Sequence, residues 1–428
     1  MATAAAVLAQ VAAVIAGRRG TARNLMFFVA AALVAVHTVM DAFLAPEPGT
    51  HWNDHLLAGS VSLAILAIAV LSYPRLPDGG RAASSLVLGG LMLEGAALAV
   101  ADAVEGGPRG DDWTGFLLAP AGVVTCALGL RLLWRSRRRG GHLFLRRTLL
   151  LVFAALTIYW AVAPTAVALM ATHRPREATT ALDLGRPSIP VKVRTRDGLD
   201  LHGRYVSSRN GAAVIVYPGS VSRSRQARML VQHGYGVLML DMRGYAASEG
   251  DPNMFGWGAA RDIDAGVAFL RERADVHSGR IGGLGFSVGG ELMIEAAAGN
   301  RALRAVVADG AGERSVRESV IRGAAGWFSL PAYAVQTLAV TVLSGDPPPP
   351  SLVDLTPRIA PRPLMLIGAG HDNGGEDLQP HYYAAAQQPK SYWKIPEAGH
   401  TGGFEARPRE YARRVIAFFD EGLGEDAG

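Results

Sequence analysis

Apolar residues follow two different patterns along the chain, and the change comes near residue 173. Before that point, long apolar runs alternate with short polar breaks; after it, short runs rich in Val, Ile and Leu alternate with stretches of helical period. A helix needs about 20 apolar residues to cross the hydrocarbon core of a bilayer. The pattern therefore predicts a transmembrane helical domain over residues 1–173 and a second domain over residues 174–428.

The early apolar runs predict five or six membrane-spanning helices. Five runs are long enough to span, at residues 24–45, 55–73, 83–104, 113–134 and 148–171. The run 3–17 is shorter, and a span, an interfacial helix and a signal-peptide core are all open for it. We favour a span, because the run lacks the positively charged leader that precedes the apolar region of a signal peptide.

The polar breaks between the runs alternate in charge. Arginines stand in the first, third and fifth breaks, whereas the second and fourth are mainly acidic. Because basic loops remain cytoplasmic, this alternation predicts an integral protein of the plasma membrane with its second domain on the extracytoplasmic side.

The basic balance of the chain belongs mainly to the first domain. The chain of 428 residues carries a formal charge of +5, a mean hydropathy of +0.19 and only 18% charged residues. Residues 1–173 hold 13 Arg and 9 acidic groups, a net charge of +4, which leaves +1 for residues 174–428. The second domain therefore lacks the basic footprint of a nucleic-acid binder, and we expect no nucleic-acid partner.

Several ionisable groups in the first domain are open to a functional and a structural interpretation. These groups are His37, Asp41 and Glu94 within the runs, and His51, Asp54 and His55 in an outer loop. Interhelical hydrogen bonds and a wetted loop are favoured over a metal or proton site, because a full ligand set is missing. Cys126 is the single cysteine, which excludes a Cys-based zinc site. We predict neither a metal nor a cofactor.

Strands and helices alternate in the second domain. Its short apolar runs lie at 213–217, 236–240, 281–285, 304–308 and 364–367, and its helical-period stretches at 260–274, 288–299 and 408–423. Strand alternating with helix predicts a mostly parallel sheet covered by helices on both faces. Before the first of these runs, residues 194–206 alternate in polarity around Asp197-Gly198, which predicts a hairpin at the edge of the sheet.

A candidate nucleophile follows one of the buried strands. The strand 281–285 leads directly into GFSVGG, and helical sequence comes next. A G-x-S-x-G between a strand and a helix is the context of a nucleophile elbow, in which a tight, strained turn exposes the serine hydroxyl. We therefore interpret Ser287 as a nucleophile rather than as a turn serine.

A serine hydroxyl is a weak nucleophile and needs a base that a third group orients. His400 has the position expected of that base, in the loop PEAGHTGGF after the candidate strand 391–395. The acid should lie between the two in chain order. Asp372, five residues past the strand 363–367, is the first choice, and Glu376 and Asp309 are the alternatives.

Negative charge that develops on a substrate carbonyl oxygen needs two positioned N–H donors. The backbone N–H of Val288, directly after the nucleophile, is one candidate for this oxyanion hole. The second is the N–H of Ser220, in the PGS loop after the strand 212–217. A simple strand-exit turn is the alternative interpretation of PGS.

Four motifs in this order resemble the α/β-hydrolase superfamily, in particular its bacterial serine esterase and peptidase-like members. They are DMRGYAASEG at 241–250, GFSVGG, GAGHD and AGHTGGF, and the resemblance covers about residues 190–424. It implies an α/β-hydrolase fold with Ser287, Asp372 and His400 as the triad. The sequence departs from the family pattern at Ala246, where glycine is usual, and at 217–219, where Tyr-Pro-Gly replaces the common His-Gly.

The stretch 311–356 is where this fold inserts a cap over the active site. It contains the apolar segment 325–343, which Pro331 interrupts. We predict a helical lid that lines a hydrophobic acyl pocket, because a seventh span here would separate His400 from Ser287 by the membrane.

These features predict a membrane-anchored serine hydrolase that cleaves a carboxylic ester, thioester or amide through an acyl-serine intermediate. Its expected partners are the lipid bilayer and a small-molecule or lipid-like acyl substrate. Two alternatives are an acyltransferase with the same triad and a non-catalytic membrane scaffold or transport-related protein whose hydrolase fold binds a ligand. The sequence leaves the oligomeric state open.

The predicted topology is tested by fusing alkaline phosphatase to the chain after residue 180 and, separately, after residue 140. Alkaline phosphatase needs an oxidising compartment to form its disulfides, so the first fusion should be active and the second inactive. The reverse result would overturn the outward placement of the second domain.

Overall fold

The computed structural model describes residues 21–44, 56–106, 112–137, 141–173, 183–218, 223–370 and 375–424. Internal packing divides the chain into two compact units, Met1–Leu156 and Thr157–Gly428. The apolar pattern of the sequence changes later, near residue 173. The second unit begins earlier because the helical segment before residue 173 packs against a helix of the cap.

The first unit consists of helices, as its long apolar runs predict. In the described residues these are α1 (Thr21–Val39, continued by a π-helical turn Met40–Leu44), α2 (Leu56–Ser72, followed by a 3-10 turn Tyr73–Arg75), α3 (Asp78–Gly106), α4 (Asp112–Arg137) and α5 (Gly141–Thr157). Helices α3 and α4 approach closely at Gly89, where a Cβ atom would lie 2.5 Å from the Cys126 Sγ.

Four helices in the described residues are long and apolar enough to cross a membrane. They are Asn24–Leu44, Trp113–Arg135, Gly141–Thr172 and Ala324–Ser344, and the apolar helix Ser62–Arg75 is shorter. The segment 83–104 is helical as part of α3, and the run 3–17 lies outside the described residues. The apolar helices are compatible with a membrane domain, while the number of spans and their orientation stay predictions.

Polar side chains of the first unit connect its helices. The His37 Nδ1 lies 2.9 Å from the Thr114 Oγ1, which joins α1 to α4. The Tyr73 hydroxyl lies 3.0 Å from the Ser85 Oγ, and both residues are buried. His37 thus forms the kind of interhelical hydrogen bond that its structural interpretation expects. The second polar group, His51, Asp54 and His55, lies outside the described residues.

An eight-stranded sheet forms the centre of the second unit, in the order β1-β2-β4-β3-β5-β6-β7-β8. Strand β2 is antiparallel to β1 and to β4, and the other neighbours are parallel. The strands are β1 (Ile189–Arg194), β2 (Asp200–Val206), β3 (Ala213–Tyr217), β4 (Gly236–Leu240), β5 (Ile281–Phe286), β6 (Leu303–Asp309), β7 (Leu364–Ala369) and β8 (Lys390–Ile395). The mostly parallel sheet and its edge hairpin confirm the sequence prediction of an α/β-hydrolase fold.

Helices cover both faces of the sheet. Within the described residues, the second unit contains α6 (Ala163–Thr172, preceded by a π-helical turn Ile158–Val162), α7 (Ser224–Gln232), α8 (Ala260–Arg271), α9 (Val288–Gly299), α10 (Val316–Ile321), α11 (Ala324–Ser344), α12 (Leu352–Leu355), α13 (Gln379–Ala385), α14 (Gly403–Ala406) and α15 (Pro408–Gly422). Side chains of α8 and α9 pack in one buried cluster, and those of α7 and α15 pack in the other. The central strands are buried on both faces, which explains their continuous apolar runs.

The cap region 311–356 contains α10, α11 and α12. A lid of helices is what the sequence predicts here, and α11 is its longest element. Helix α11 packs against α6, and Ala168, Val340 and Trp257 form a small buried cluster between these helices and a neighbouring loop.

A buried ion-pair network holds the loop after β4. The Arg243 guanidinium donates to the Asp262 Oδ1 at 2.6 and 2.8 Å, and to the Asp197 Oδ2 at 2.8 Å. The Tyr217 hydroxyl donates to the other oxygen of Asp262 at 2.9 Å. Burial raises the pKa of Asp262, and the guanidinium of Arg243 opposes that rise. The network thereby joins the edge hairpin, the end of β3 and α8.

Replacing Arg243 with Met should destabilise the second unit, because it leaves a fully buried Asp262 carboxylate without its counter-charge. Removing one partner of a buried pair costs about 3–5 kcal/mol, so we expect a fall in Tm on the order of 10 °C. Thermal unfolding of the full-length protein in detergent measures the change. The matched control is Arg194→Met, which breaks an exposed pair with Asp200. Equal, small shifts for both variants would contradict the structural role of Arg243.

Candidate active site

The turn between β5 and α9 holds Ser287 in a strained backbone conformation. Ser287 has φ 51° and ψ −124°, a region that residues with a Cβ rarely adopt. The sheet holds it there, because the Ser287 N–H donates to the carbonyl of Asp309 on β6 at 2.8 Å. The Ser287 carbonyl in turn accepts from the Gly290 N–H at 2.8 Å, in the first turn of α9. This geometry is that of a nucleophile elbow.

The glycines of the G-x-S-x-G motif make room for this turn. A Cβ atom on Gly285 would lie 2.1 Å from the carbonyl oxygen of Gly289. A Cβ atom on Gly289 would lie 2.1 Å from the carbonyl oxygen of Tyr217 at the end of β3. Both contacts are too short for any side chain, so only glycine allows the start of α9 to approach the end of β3.

The His400 imidazole lies between a hydroxyl and a carboxylate. Its Nε2 is 2.9 Å from the Ser287 Oγ, and its Nδ1 is 2.7 Å from the Glu376 Oε1. The Glu376 carboxylate accepts a hydrogen bond from the His400 Nδ1–H. This bond fixes the tautomer in which Nε2 is free to accept the serine proton. This arrangement allows the serine hydroxyl to transfer its proton to the imidazole, which the carboxylate orients.

The carboxylate in contact with His400 is Glu376, an alternative acid in the sequence analysis. It is only 2% exposed, and its Oε2 accepts from the Ala369 N–H at 2.9 Å, at the end of β7. Asp372, the first choice from the sequence, lies outside the described residues.

Asp309, the other alternative acid, forms a different contact. Its carboxylate accepts from the Tyr411 hydroxyl at 2.9 Å, and burial raises its pKa to about 7. Asp309 is next to the candidate site through its backbone, because its carbonyl accepts from the Ser287 N–H.

Two residues around His400 have no signal in the sequence motifs. Gly310, directly after β6, has φ +70°, and a Cβ atom there would lie 3.0 Å from the His400 Cε1 and 2.8 Å from the Thr401 Cγ2. Arg223 lies with its guanidinium carbon 4.4 Å from the ring centre of Phe286, and it donates to the Thr401 Oγ1 at 2.9 Å. Gly310 makes room for the imidazole, and Arg223 connects the residue before the nucleophile to the loop of His400.

Glu291 is a further buried carboxylate near the nucleophile that the sequence analysis missed. It lies in the first turn of α9 and accepts from the Gly312 N–H at 3.1 Å, in the segment that leads to the cap. Burial raises its pKa to about 7, and the nearby Arg314 guanidinium opposes the rise. A charged residue on the otherwise apolar segment VGGELMI was the only sequence signal for it.

One of the two predicted oxyanion donors is described by the structure. Val288 is the first residue of α9, and the first N–H groups of a helix have no acceptor within the helix. The helix dipole also favours negative charge at this end. Ser220, the second predicted donor, lies outside the described residues.

Comparisons with known proteins match the second unit. The family described as X-Pro dipeptidyl-peptidase (S15 family) matches residues 173–398, more than half of the chain. The uncharacterized protein Rv2307c of Mycobacterium tuberculosis is 31% identical over 230 residues, which covers 52% of this chain and 75% of that protein. The uncharacterized protein YfhR of Escherichia coli is 25% identical over 248 residues, covering 54% of this chain and 79% of that protein.

A solved structure that matches part of this chain is the esterase Pf2001 of Pyrococcus furiosus. It is 24% identical, with coverage of 59% of this chain and 100% of that chain, and its TM-score is 0.48.

The choice of acid is tested by comparing Glu376→Gln with Asp372→Asn. A fluorophosphonate probe reacts with a serine that a base activates, so its labelling rate reports the state of Ser287. We expect Glu376→Gln to slow labelling by roughly 10³–10⁴-fold, because the neutral amide no longer fixes the imidazole tautomer or stabilises the imidazolium. Asp372→Asn should label close to the wild-type rate. The opposite ranking would assign the role to Asp372.

Proposed function

We propose that the chain, which belongs to the X-Pro dipeptidyl-peptidase (S15 family) group of α/β hydrolases, is a membrane-anchored serine hydrolase. We infer that it cleaves a carboxylic ester, thioester or amide through an acyl-serine intermediate. The observation that carries this proposal is the position of His400, 2.9 Å from the Ser287 Oγ and 2.7 Å from the Glu376 Oε1.

The proposed reaction begins with proton transfer from Ser287 to His400. The Ser287 Oγ attacks the substrate carbonyl carbon as its proton moves to the His400 Nε2, and Glu376 stabilises the imidazolium that forms. The Val288 N–H, together with a donor from the loop after β3, stabilises the oxyanion. His400 then protonates the leaving group, which departs and leaves an acyl-serine.

Water completes the proposed cycle. His400 takes a proton from the water as its oxygen attacks the acyl carbonyl, and the acid product leaves as Ser287 regains its proton. An alcohol or amine in place of water would give acyl transfer with the same residues. The hydrolase and the acyltransferase thus differ only in the acceptor that reaches the acyl-serine.

The membrane part of the proposal rests on the apolar helices before residue 173. Among the described residues of that part, three helices are long and apolar enough to cross a membrane, and arginines concentrate in alternate breaks. Because such loops remain cytoplasmic, we propose that the hydrolase unit lies on the extracytoplasmic side.

The decisive variant is Ser287→Ala, which removes the nucleophile. We expect loss of p-nitrophenyl ester turnover by at least about 10⁴-fold and loss of fluorophosphonate labelling in the purified protein. The matched control is Ser391→Ala, an exposed serine on β8, which should keep both signals.

Unchanged labelling of Ser287→Ala would reject the proposed nucleophile. Adding an alcohol acceptor separates the two reactions, since a transferase forms a new ester in place of the free acid.

A further inference from the structure

Helix α11 exposes an apolar face. From Trp327 onward, exposed positions recur every three or four residues and form one stripe along the helix. The members of this exposed stripe are Trp327, Pro331, Ala334, Leu338 and Val342. The exposed fractions of Trp327, Leu338 and Val342 are 62%, 65% and 74%. A lid surrounded by water normally carries polar residues on such a face.

Three hydroxyl side chains of α11 bond within the helix, as they would in an apolar surrounding. Residues 324–344 contain neither acidic nor basic side chains. Three of the hydroxyls donate to carbonyls of the same helix: Ser329 to Gly326 at 3.1 Å, Thr341 to Thr337 at 2.8 Å and Ser344 to Val340 at 2.8 Å. Such bonds satisfy a hydroxyl where water is missing.

Both ends of α11 are joined to the hydrolase unit by ion pairs. Before the helix, Arg322 donates to Glu313 at 3.1 Å and to Asp377 at 2.9 Å. After it, Asp346 accepts from Arg261 at 2.9 Å. A helix held at both ends by one folded unit lies on that unit and does not cross a membrane. Its length and hydropathy therefore need another explanation.

Helix α11 packs beside a candidate membrane span. Phe328 lies 5.5 Å from the Tyr159 ring and 5.6 Å from the Trp160 ring, and the Trp160 indole donates to the Phe328 carbonyl at 2.9 Å. The helix Gly141–Thr172 has 32 residues, which is about 48 Å at 1.5 Å per residue, longer than a hydrocarbon core of about 30 Å.

Tyr159 and Trp160 belong to the apolar run 148–171, which follows Arg146 and Arg147. Basic side chains are costly in the hydrocarbon core, so the candidate span begins after these arginines. Because Phe328 contacts both rings, the beginning of α11 packs against the apolar part of this helix.

We propose that the exposed stripe of α11 lies in the surface of the bilayer and that the hydrolase acts on an acyl ester that resides in that bilayer. The inference rests on the proposed function and adds the substrate class. Arg322, just before α11, pairs with Asp377, which directly follows the Glu376 that contacts His400. Helix α11 therefore begins next to the segment that carries Glu376, so the proposed bilayer contact lies on the side of the unit that carries the candidate active site.

The activity test uses the full-length protein in phosphatidylcholine vesicles and two substrates. p-Nitrophenyl butyrate is water-soluble, and p-nitrophenyl palmitate partitions into the bilayer. The double variant Leu338→Gln/Val342→Gln should lose about tenfold or more on the palmitate, since it removes apolar contact with lipid, and keep its rate on the butyrate. The control Ile189→Gln, an equally apolar-to-polar change at an exposed position on β1, should alter neither rate.

The ratio of the two rates decides the substrate class. A double variant that keeps both rates, or loses both equally, would overturn the inference. A wild-type protein that hydrolyses the butyrate and not the palmitate would also overturn it, while the proposed function would stand. A wild-type protein that hydrolyses neither ester and resists fluorophosphonate would reject the proposed function itself.

A second measurement reports the bilayer contact without catalysis. Brominated phosphatidylcholine quenches tryptophans that touch the acyl chains, so Trp327→Phe should lose part of the quenching seen in the wild type. The matched control is Trp393→Phe, which removes a buried tryptophan on β8. This variant should leave the quenched part of the emission unchanged. Equal quenching in both variants would show that Trp327 is away from lipid and would overturn the placement of α11.

Discussion

The parallel register of β5, β6, β7 and β8 is the constraint on which the candidate site depends. In this register Phe286 lies beside Asp309, and the Gly310 N–H donates to the Ile367 carbonyl at 2.9 Å. Parallel neighbours end at the same edge of the sheet, where α/β proteins bind their ligands. Side chains that are 113 and 24 residues apart, Ser287 to His400 and Glu376 to His400, therefore meet in one place.

This constraint also explains which parts of the site could be predicted from the sequence. Ser287 and His400 stand in short motifs next to strands, so the motifs and the strand pattern together locate them. Glu376, the carboxylate that contacts His400, lies farther along the chain after β7, where Gly375, with φ +92°, directly precedes the 3-10 turn that begins at Glu376. Counting residues from the strand favours the nearer Asp372, since a sequence does not give the path of this segment.

Other parts of the structure depend on contacts that no local pattern encodes. Arg223 reaches Thr401 across 178 residues of chain, and the glycine at 310 is required by a histidine 90 positions later. The segment 157–172 is as apolar as a span, yet it packs with the hydrolase unit through α11. Hydropathy measures how unfavourable it is for a segment to be exposed to water. It does not tell whether the segment is buried in lipid or in protein.

Helix α11 shows why this distinction matters for the function. Exposed apolar area is unfavourable in water by roughly 25 cal/mol per Å², so a soluble lid with the stripe from Trp327 to Val342 would promote aggregation. On the proposed placement of α11, lipid removes that unfavourable exposure. The same contact would deliver acyl chains to the side of the unit where Arg322 joins Asp377. If the proposal holds, the bilayer that covers the apolar stripe of α11 is also the phase that contains the acyl substrate.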